Sequence, residues 1–295
     1  MPQHRLVLTL ALGAWLCTGT ASAEPSAGAD RPIEFDQPLT GHIDDIATQV
    51  AFRLNAQAGD VLNAEIRTTS EAQVSQSPGK SLQELDSHVT ILDPEGKELI
   101  SSVPDRSMKT FSWQTHTVLF AVIPTDGAYT VLAERSPGSR LTGDFELVMT
   151  KLPVIRIGET ARKTLKVQDV KDRQFGAAYA VQSHQDFAVT FQKTGTFSPT
   201  LYVSTIAGKE QGNMASPNSR LQPVAAITGP KNNFTTLNDA AMFKGGRLLI
   251  AGRKEPYIIT LYNRDEFDNT FHLSDREANA SADCEVTLTE AKQGF

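Results

Sequence analysis

The chain has 295 residues, a formal net charge of −6 and 40% hydrophobic residues. This hydrophobic content excludes a wholly disordered or collagen-like chain and is enough to form one large core or two ordinary ones. The acidic balance disfavours a protein whose main task is to bind nucleic-acid phosphates.

The first residues contain the three parts of a secretory signal peptide. A basic start ends at Arg5, the apolar stretch Leu6–Leu16 is too short to span a membrane, and Ala23 closes an Ala-x-Ala cleavage site. Cys17 raises the alternative of a lipoprotein signal, but the residues just before it are too bulky for one. We predict cleavage after Ala23, a periplasmic or secreted protein, and no transmembrane segment.

Cys284 is the second of only two cysteines, so the cleaved chain would hold a single thiol. An intramolecular disulfide is then impossible, and the core must be stable without one. Cys284 is either a small buried side chain or a residue that pairs between chains.

The remaining sequence is dominated by short runs in which apolar residues alternate with others, the pattern of half-buried strands. Turn sequences separate the runs, and two of them, Asp93–Gly96 and Pro124–Gly127, predict hairpins. Many short strands between Gly, Pro and Asp turns are typical of a sandwich, so we predict an all-β protein. The predicted strands include Val50–Leu54, Val89–Leu92, Val118–Ile123, Tyr129–Ala133, Phe145–Leu147, Val189–Phe191, Leu201–Val203, Leu248–Ala251, Ile258–Tyr262 and Glu285–Thr289.

Similar features recur in the same order in the two halves. Leu39–Gly41 is similar to Ile155–Gly158, Asp126–Tyr129 to Lys254–Tyr257, and Gly143–Leu147 to Asn269–Leu273. A repeat of this length indicates tandem domains rather than a solenoid. We predict a signal peptide at 1–23, a flexible segment at 24–32, and two β-sandwich domains at 33–152 and 153–295.

The first half resembles the bacterial pre-peptidase C-terminal domain family. The resemblance rests on Leu39-x-Gly41-x-Ile43-Asp44, Ala58-Gly59-Asp60, the Leu92-Asp-Pro-Glu-Gly96 hairpin, Asp126-Gly-Ala-Tyr129 and Gly143-Asp-Phe145. The second half keeps fewer of these features and reads as a diverged copy. The resemblance implies two jelly-roll-like sandwiches that are non-catalytic accessories of exported enzymes, binding protein, polysaccharide or, in some cases, calcium.

Motif searches find no catalytic signature. Gly-x-Ser-x-Gly, His-Glu-x-x-His and Gly-x-Gly-x-x-Gly are all absent from the sequence. We therefore predict a non-enzymatic module without a cofactor, which binds a protein or a glycan outside the cytoplasm. Two alternatives stay open: a hydrolase or lyase whose site assembles only in space, and an inhibitor or accessory of a separately encoded secreted peptidase.

Two groups of residues are candidate ligand sites. Phe111, Trp113 and His116 could form an aromatic sugar platform, although the apolar strands around Trp113 favour a place for it in the sandwich core. The carboxylates of Asp44, Asp45, Asp93 and Glu95 are hard ligands suited to calcium, but acids are also common in turns and no EF-hand spacing is present.

Overall fold

A computed structural model describes residues 31–69, 87–102, 116–135, 142–166, 176–196, 199–206, 221–228, 233–237, 239–244, 247–262 and 280–291. Within these ranges the regular structure consists of strands, and no helix is present. The predicted all-β class is therefore confirmed, while the predicted signal peptide lies outside the described residues.

Nineteen strands follow one another in the described ranges. They are β1 (Leu39–Ile43), β2 (Gln49–Ala56), β3 (Val61–Thr68), β4 (Ser87–Leu92), β5 (Glu98–Ser101), β6 (His116–Val122), β7 (Gly127–Arg135), β8 (Gly143–Lys151), β9 (Val154–Ile155), β10 (Thr160–Lys166), β11 (Ala177–Val181), β12 (Phe187–Gly195), β13 (Thr200–Ile206), β14 (Leu221–Thr228), β15 (Asn233–Thr236), β16 (Ala241–Lys244), β17 (Arg247–Ile250), β18 (Tyr257–Tyr262) and β19 (Ser281–Glu290).

The first eight strands form a sandwich of two sheets, which we call the N-lobe. Sheet N1 has the order β1-β8-β3-β6, and sheet N2 has the order β2-β7-β4-β5. Neighbouring strands in both sheets are antiparallel. This alternation of distant strands between two four-stranded sheets is the jelly-roll arrangement.

Strands β9 to β19 form a second sandwich, the C-lobe. Sheet C1 has the order β10-β19-β12-β17-β16, and sheet C2 has the order β15-β14-β13-β18-β11-β9. Without β9, β15 and β16, the remaining eight strands repeat the N-lobe order strand for strand. The prediction of two tandem jelly-roll-like sandwiches is confirmed.

The segment before β1 in the N-lobe and before β10 in the C-lobe shows which residues of the two lobes are equivalent. Pro32 bridges β2 in parallel, and β9 pairs in parallel with the equivalent strand β11. Asp36 and Gly158 then turn with positive φ, and each donates its N–H to the last strand of its own lobe, to the Met149 and Leu288 carbonyls. Met149 and Leu288 are therefore equivalent positions.

A buried tyrosine marks a second equivalence. Tyr129 on β7 donates its hydroxyl to the Thr125 carbonyl over 2.7 Å, and Tyr257 on β18 donates to the Ala251 carbonyl over the same distance. In each lobe the bond ties the ring to the chain just before its strand. The predicted match of Tyr129 with Tyr257 is confirmed.

The other two predicted matches are wrong. Gly158 corresponds to Asp36, because Asp36 forms the turn before β1 and Gly158 forms the turn before the equivalent strand β10. The C-lobe counterpart of β8 is β19, so Phe145 corresponds to Cys284. Asn269–Leu273 lies outside the described residues.

Of the two predicted hairpins, one is present. β4 and β5 pair across Asp93–Gly96, where Gly96 has the positive φ of a tight turn. The turn at Pro124–Gly127 instead joins β6 in sheet N1 to β7 in sheet N2. Turn residues specify a change of chain direction, and they do not determine whether the next strand stays in the same sheet.

Three apolar clusters hold the fold together. The N-lobe core contains Phe52, Tyr129 and Phe145, and the C-lobe core contains Phe187 and Leu288. The third cluster joins the lobes, and we call it the seam. Its buried residues are Val61, Val118, Phe120, Leu152, Ala180, Tyr202, Leu221, Ala226 and Ile258.

The seam explains why β6 is apolar without alternation. Leu119 and Ala121 face the N-lobe core, whereas Val118 and Phe120 face the seam. Strands that are covered on both faces carry continuous apolar runs. Sheets N1 and C2 therefore pack through their outer faces, and Gln182 Nε2 donates across this junction to the Gly59 carbonyl over 3.3 Å.

Candidate functional site

The predicted aromatic platform cannot be placed in the fold. Phe111 and Trp113 lie outside the described residues. His116 begins β6, where its backbone is opposite Arg67 on β3. The sugar platform therefore stays a prediction.

The first pair of calcium candidates lies in the loop between β1 and β2. Asp44 Oδ1 accepts hydrogen bonds from the N–H groups of Ile46 and Ala47 over 2.7 and 2.6 Å, and these bonds lower the pKa of Asp44. Asp45 Oδ1 accepts from Arg135 over 2.9 Å. These oxygens shape the loop and pair with a neighbouring strand.

The second pair lies in the turn between β4 and β5. Asp93 Oδ1 accepts hydrogen bonds from the N–H groups of Glu95 and Lys97 over 3.1 and 2.8 Å. The carboxylate thus closes the turn that joins the strands, a common role of Asp at the first turn position.

The two pairs lie at opposite ends of the N-lobe. The Asp44–Asp45 loop lies beside the end of β7 at Arg135, whereas Pro94 packs against Gly127 at the start of β7. One cation cannot contact both pairs. Across the described residues, no group of three or more His, Cys, Asp or Glu side chains is placed to hold a metal ion.

A polar groove of about 440 Å³ lies on sheet C1, and we call it the C1 slot. Three consecutive residues from each of β10, β12 and β19 line it. Side chains alternate between the two faces of a sheet along each strand. The side chains of the first and third residues of each triplet therefore form the walls of the slot, and the middle residue contributes its backbone to the floor. The lining residues are Arg162, Lys163, Thr164, Gln192, Lys193, Thr194, Asp283, Cys284 and Glu285.

The walls of the C1 slot are two rows of side chains that run across the strands. Strand register places Arg162, Glu285 and Gln192 in one row. The other row follows two residues along each strand, about 7 Å away. With strands about 4.8 Å apart, three of them give the slot a length of roughly 10 Å. The second row is Thr164, Asp283 and Thr194.

Two cross-strand contacts hold the walls in place. Arg162 Nε donates to Glu285 Oε2 over 2.8 Å, and Thr164 Oγ1 donates to Asp283 Oδ1 over 2.6 Å. Each carboxylate keeps a second oxygen beyond these contacts, and Gln192 and Thr194 are exposed at the β12 side of the slot. The slot therefore presents a fixed array of acceptors and donors to solvent.

The N-lobe face that corresponds to the outer face of C1 is buried only on its β6 side. Counting along the ladders from Met149 and Leu288, Arg247 takes the position of Val118. Val118 packs into the seam, whereas Arg247 is exposed. The N-lobe positions that correspond to the slot itself are open, since the side chains of His42 and Asp144 are 55% and 61% exposed.

The C1 slot was not predicted from the sequence. The sequence does show polar residues at alternate positions of these strands, such as Arg162 and Thr164 on β10 and Asp283 and Glu285 on β19. These pairs come together only because β10, β19 and β12 are neighbours, although they are far apart in the chain. Periodicity along one strand does not give that order.

A buried histidine on sheet N2 bears on the enzyme alternative. His88 is 5% exposed, and its Nε2 lies 3.0 Å from Glu134 Oε2 on the neighbouring strand. A hydrolytic dyad of this kind needs a nucleophile on the other ring nitrogen. The described residues provide no hydrogen-bond partner for His88 Nδ1, so they place no nucleophile on this ring nitrogen.

Comparison with known proteins gives no family assignment. No family model matches the chain, and no curated protein matches it. The described residues include no helix long and apolar enough to cross a bilayer.

Several solved structures are similar in fold at low identity. The pre-peptidase C-terminal domain of a Bacillus anthracis collagenase is 8% identical, with 41% of this chain and 93% of that chain covered and a TM-score of 0.29. The periplasmic g-type lysozyme inhibitor PliG of Aeromonas hydrophila is 13% identical, with the same coverage and a TM-score of 0.26. Tandem CBM51 modules of a Streptococcus pneumoniae glycoside hydrolase are 10% identical, with 86% and 84% covered and a TM-score of 0.28. These low scores support no inference about family or ligand.

Proposed function

We propose that this chain is an exported, non-catalytic tandem β-sandwich protein that binds a glycan through the C1 slot. The observation that supports the proposal is the slot itself, an open polar groove on sheet C1 whose two carboxylates are held by cross-strand hydrogen bonds. A sheet surface that is open to solvent and carries ordered hydrogen-bonding groups is suited to a ligand rich in hydroxyls.

The chemistry of the walls favours a glycan over a strongly charged ligand. Arg162 already neutralises one carboxylate, Glu285, which leaves Asp283 as the only wall carboxylate without a cationic wall partner. The wall groups with capacity for further bonds are carboxylate, amide and hydroxyl oxygens, and these accept from sugar hydroxyls. Because the Arg162 and Thr164 contacts hold two carboxylates in place, less conformational entropy is lost on binding.

The test is affinity electrophoresis of the cleaved protein through gels that contain soluble neutral or acidic polysaccharides, followed by calorimetry with oligosaccharides of any that retain it. We expect retention by at least one neutral polysaccharide. The double variant Gln192→Ala/Thr194→Ala should bind about tenfold or more weakly, since it loses two hydrogen bonds of about 1 kcal/mol each.

The matched control is Gln37→Ala/Thr40→Ala, which makes the same changes at exposed positions of the N-lobe. It should bind like the unmodified protein, and both variants should keep its thermal midpoint. Absence of retention by every polysaccharide, or an equal loss in both double variants, would overturn the proposal.

Export is a separate part of the proposal and rests on the leader sequence. Mass spectrometry of the protein from cell fractions should show a mature chain that begins at Glu24, recovered outside the cytoplasm. An intact chain in the cytoplasmic fraction would contradict it.

A further inference from the structure

The outer face of sheet N1 contains residues equivalent to the walls of the C1 slot. Gly41 lies opposite Phe145 in the N-lobe, as Lys163 lies opposite Cys284 in the C-lobe. Counting outward along the ladders from these pairs assigns an N-lobe residue to each wall position. In the order of the two rows, Arg162, Glu285, Gln192, Thr164, Asp283 and Thr194 correspond to Thr40, Glu146, Arg67, His42, Asp144 and Thr69.

Half of these positions carry the same type of residue in both lobes. The adjoining row of the same face shows no such agreement, since Val148 and Glu65 take the places of Thr287 and Thr190. Substitutions outside the core change stability little, so the fold alone does not require the agreement. The shared residues are Glu146 and Glu285, Asp144 and Asp283, and Thr69 and Thr194.

The two shared carboxylates are also held in the same manner. Glu146 Oε1 lies 2.6 Å from Arg67 Nη2, so this glutamate is paired with an arginine, as its C-lobe counterpart is. Asp144 Oδ1 lies 2.6 Å from His42 Nδ1 on the edge strand β1, and the C-lobe aspartate likewise bonds to the edge strand β10. Each lobe thus fixes one glutamate and one aspartate on rows about 7 Å apart.

The residues of this N-lobe face are accessible to a ligand. The side chains of His42 and Asp144 are more than half exposed, and Thr69 at the end of β3 is exposed as well. The arginine and glutamate that pair beside them are partly exposed. The seam takes in Val61 at the other end of β3, so the packing of the two lobes leaves this end open.

We infer that the N-lobe carries a second glycan site, formed by His42, Arg67, Thr69, Asp144 and Glu146, which we call the N1 site. The inference rests on the proposed function of the C1 slot, because the N1 site is identified by its equivalence to the slot. Its carboxylate and hydroxyl oxygens accept hydrogen bonds from sugar hydroxyls, as those of the slot do.

Two sites would suit the chain to a polymer. A polysaccharide repeats the same segment many times, so both sites can be occupied at once. Linked binding of this kind raises the overall affinity by about 10² or more without any new type of contact. Thr40, at the place of Arg162, is not part of the N1 site, because Arg67 pairs with the glutamate from the opposite side.

The test is titration calorimetry of the cleaved protein with the tetrasaccharide of a neutral polysaccharide that retains it. We expect two bound tetrasaccharides per chain. Gln192→Ala/Thr194→Ala should weaken one of the two by about tenfold or more, and Arg67→Ala/Thr69→Ala, which changes the equivalent N-lobe positions, should weaken the other. The variant with all four changes should weaken both.

Conservative variants test the same point without a change of side-chain size. Asp144→Asn and Asp283→Asn should each weaken one of the two sites by about tenfold, since each removes a charged acceptor. The control Asp239→Asn removes an exposed carboxylate between β15 and β16 and should leave both sites intact. All three variants should keep the thermal midpoint of the unmodified protein.

Retention by the polysaccharide itself gives a second measurement. In gels that contain it, the N1 variant Asp144→Asn and the slot variant Gln192→Ala/Thr194→Ala should each be retained about tenfold or more weakly. Either change leaves only one strong site, so the gain from linked binding is lost.

The outcomes separate this inference from the proposed function. One bound tetrasaccharide per unmodified chain, weakened in Gln192→Ala/Thr194→Ala and unaffected by Asp144→Asn, would overturn the inference and leave the proposed function intact. Two bound tetrasaccharides that neither Asp144→Asn nor Arg67→Ala/Thr69→Ala affects would also overturn it, because the second site would lie elsewhere. Absence of any binding would overturn the proposed function itself, and the inference with it.

Discussion

Gly41 on β1 lies directly opposite Phe145 on β8, and its missing side chain makes room for the phenyl ring. At the equivalent place in the C-lobe, Lys163 lies opposite Cys284. In the N-lobe a glycine lies opposite a large phenylalanine, whereas in the C-lobe a long lysine lies opposite a small cysteine. Lys163 is exposed, so the two lobes pack this position differently.

Substitution of Gly41 should destabilise the N-lobe. A methyl group at position 41 would collide with the buried Phe145 ring, so Gly41→Ala should cost about 1–3 kcal/mol in urea unfolding. The double variant Gly41→Ala/Phe145→Leu should lose less than the two single variants together, because the smaller side chain leaves space for the methyl group. Additive losses would show that the collision is not the cause.

Cys284 should make stability depend on alkaline pH. Burial raises the pKa of its thiol from 9.0 to about 11, so the folded state favours the protonated form. This contribution is fully present below pH 9 and is lost as the pH rises from 9 towards 11. Urea midpoints of the unmodified protein should fall more steeply over that window than those of Cys284→Ala. Parallel curves would contradict the raised pKa.

The same burial should protect Cys284 from reagents. Iodoacetamide requires the thiolate, so at neutral pH the folded protein should react far more slowly than the protein unfolded in urea. Equal rates would mean that the thiol is exposed.

Glu134 should contribute stability that is lost in acid, whereas the contribution of Cys284 is lost at alkaline pH. Burial acts to raise its pKa, but hydrogen bonds from His88 and Thr90 outweigh it and hold the pKa below the ordinary 4.5. The contribution is therefore present above about pH 4.5 and is lost as the pH falls through the lowered value. Glu134→Gln should lose about 1–2 kcal/mol at neutral pH and little in acid. The exposed control Glu34→Gln should show neither effect, and a loss in Glu134→Gln that does not change with pH would refute the ion pair.

Thr260 offers a stabilising substitution at the seam. It is 0% exposed, and the described residues provide no hydrogen-bond partner for its Oγ1. Thr260→Val keeps the shape and removes the buried hydroxyl, so it should raise the unfolding free energy by about 1 kcal/mol. The matched change Thr90→Val should lower it, since the Thr90 hydroxyl is hydrogen-bonded to Ser101 over 2.9 Å. If both variants lose stability alike, the Thr260 hydroxyl has a partner.

The strands were predictable from sequence because their signal is local. Alternation at Val50–Leu54 and the unbroken run at Val118–Ile123 each mark a strand, and the second also marks burial on both faces. The Asp93–Gly96 hairpin was predictable because its turn residues have fixed roles.

The C1 slot was not predictable, because it depends on strand order. Arg162 and Glu285 become neighbours only when the last strand of the C-lobe lies beside its first full strand. The equivalence of Phe145 and Cys284 was missed for a related reason. Gly41 and Phe145 in the N-lobe correspond to Lys163 and Cys284 in the C-lobe, so the pair itself has no shared sequence pattern.

The seam joins unlike faces, since the N1 face of one lobe meets the C2 face of the next. Such a head-to-tail contact could in principle be repeated without limit and yield a fibre. The outer face of C1 is the place where a third sandwich would add, and Arg247 stands there at the position that Val118 fills in the seam. Desolvating that charge is costly, so Arg247 disfavours further growth by the same contact.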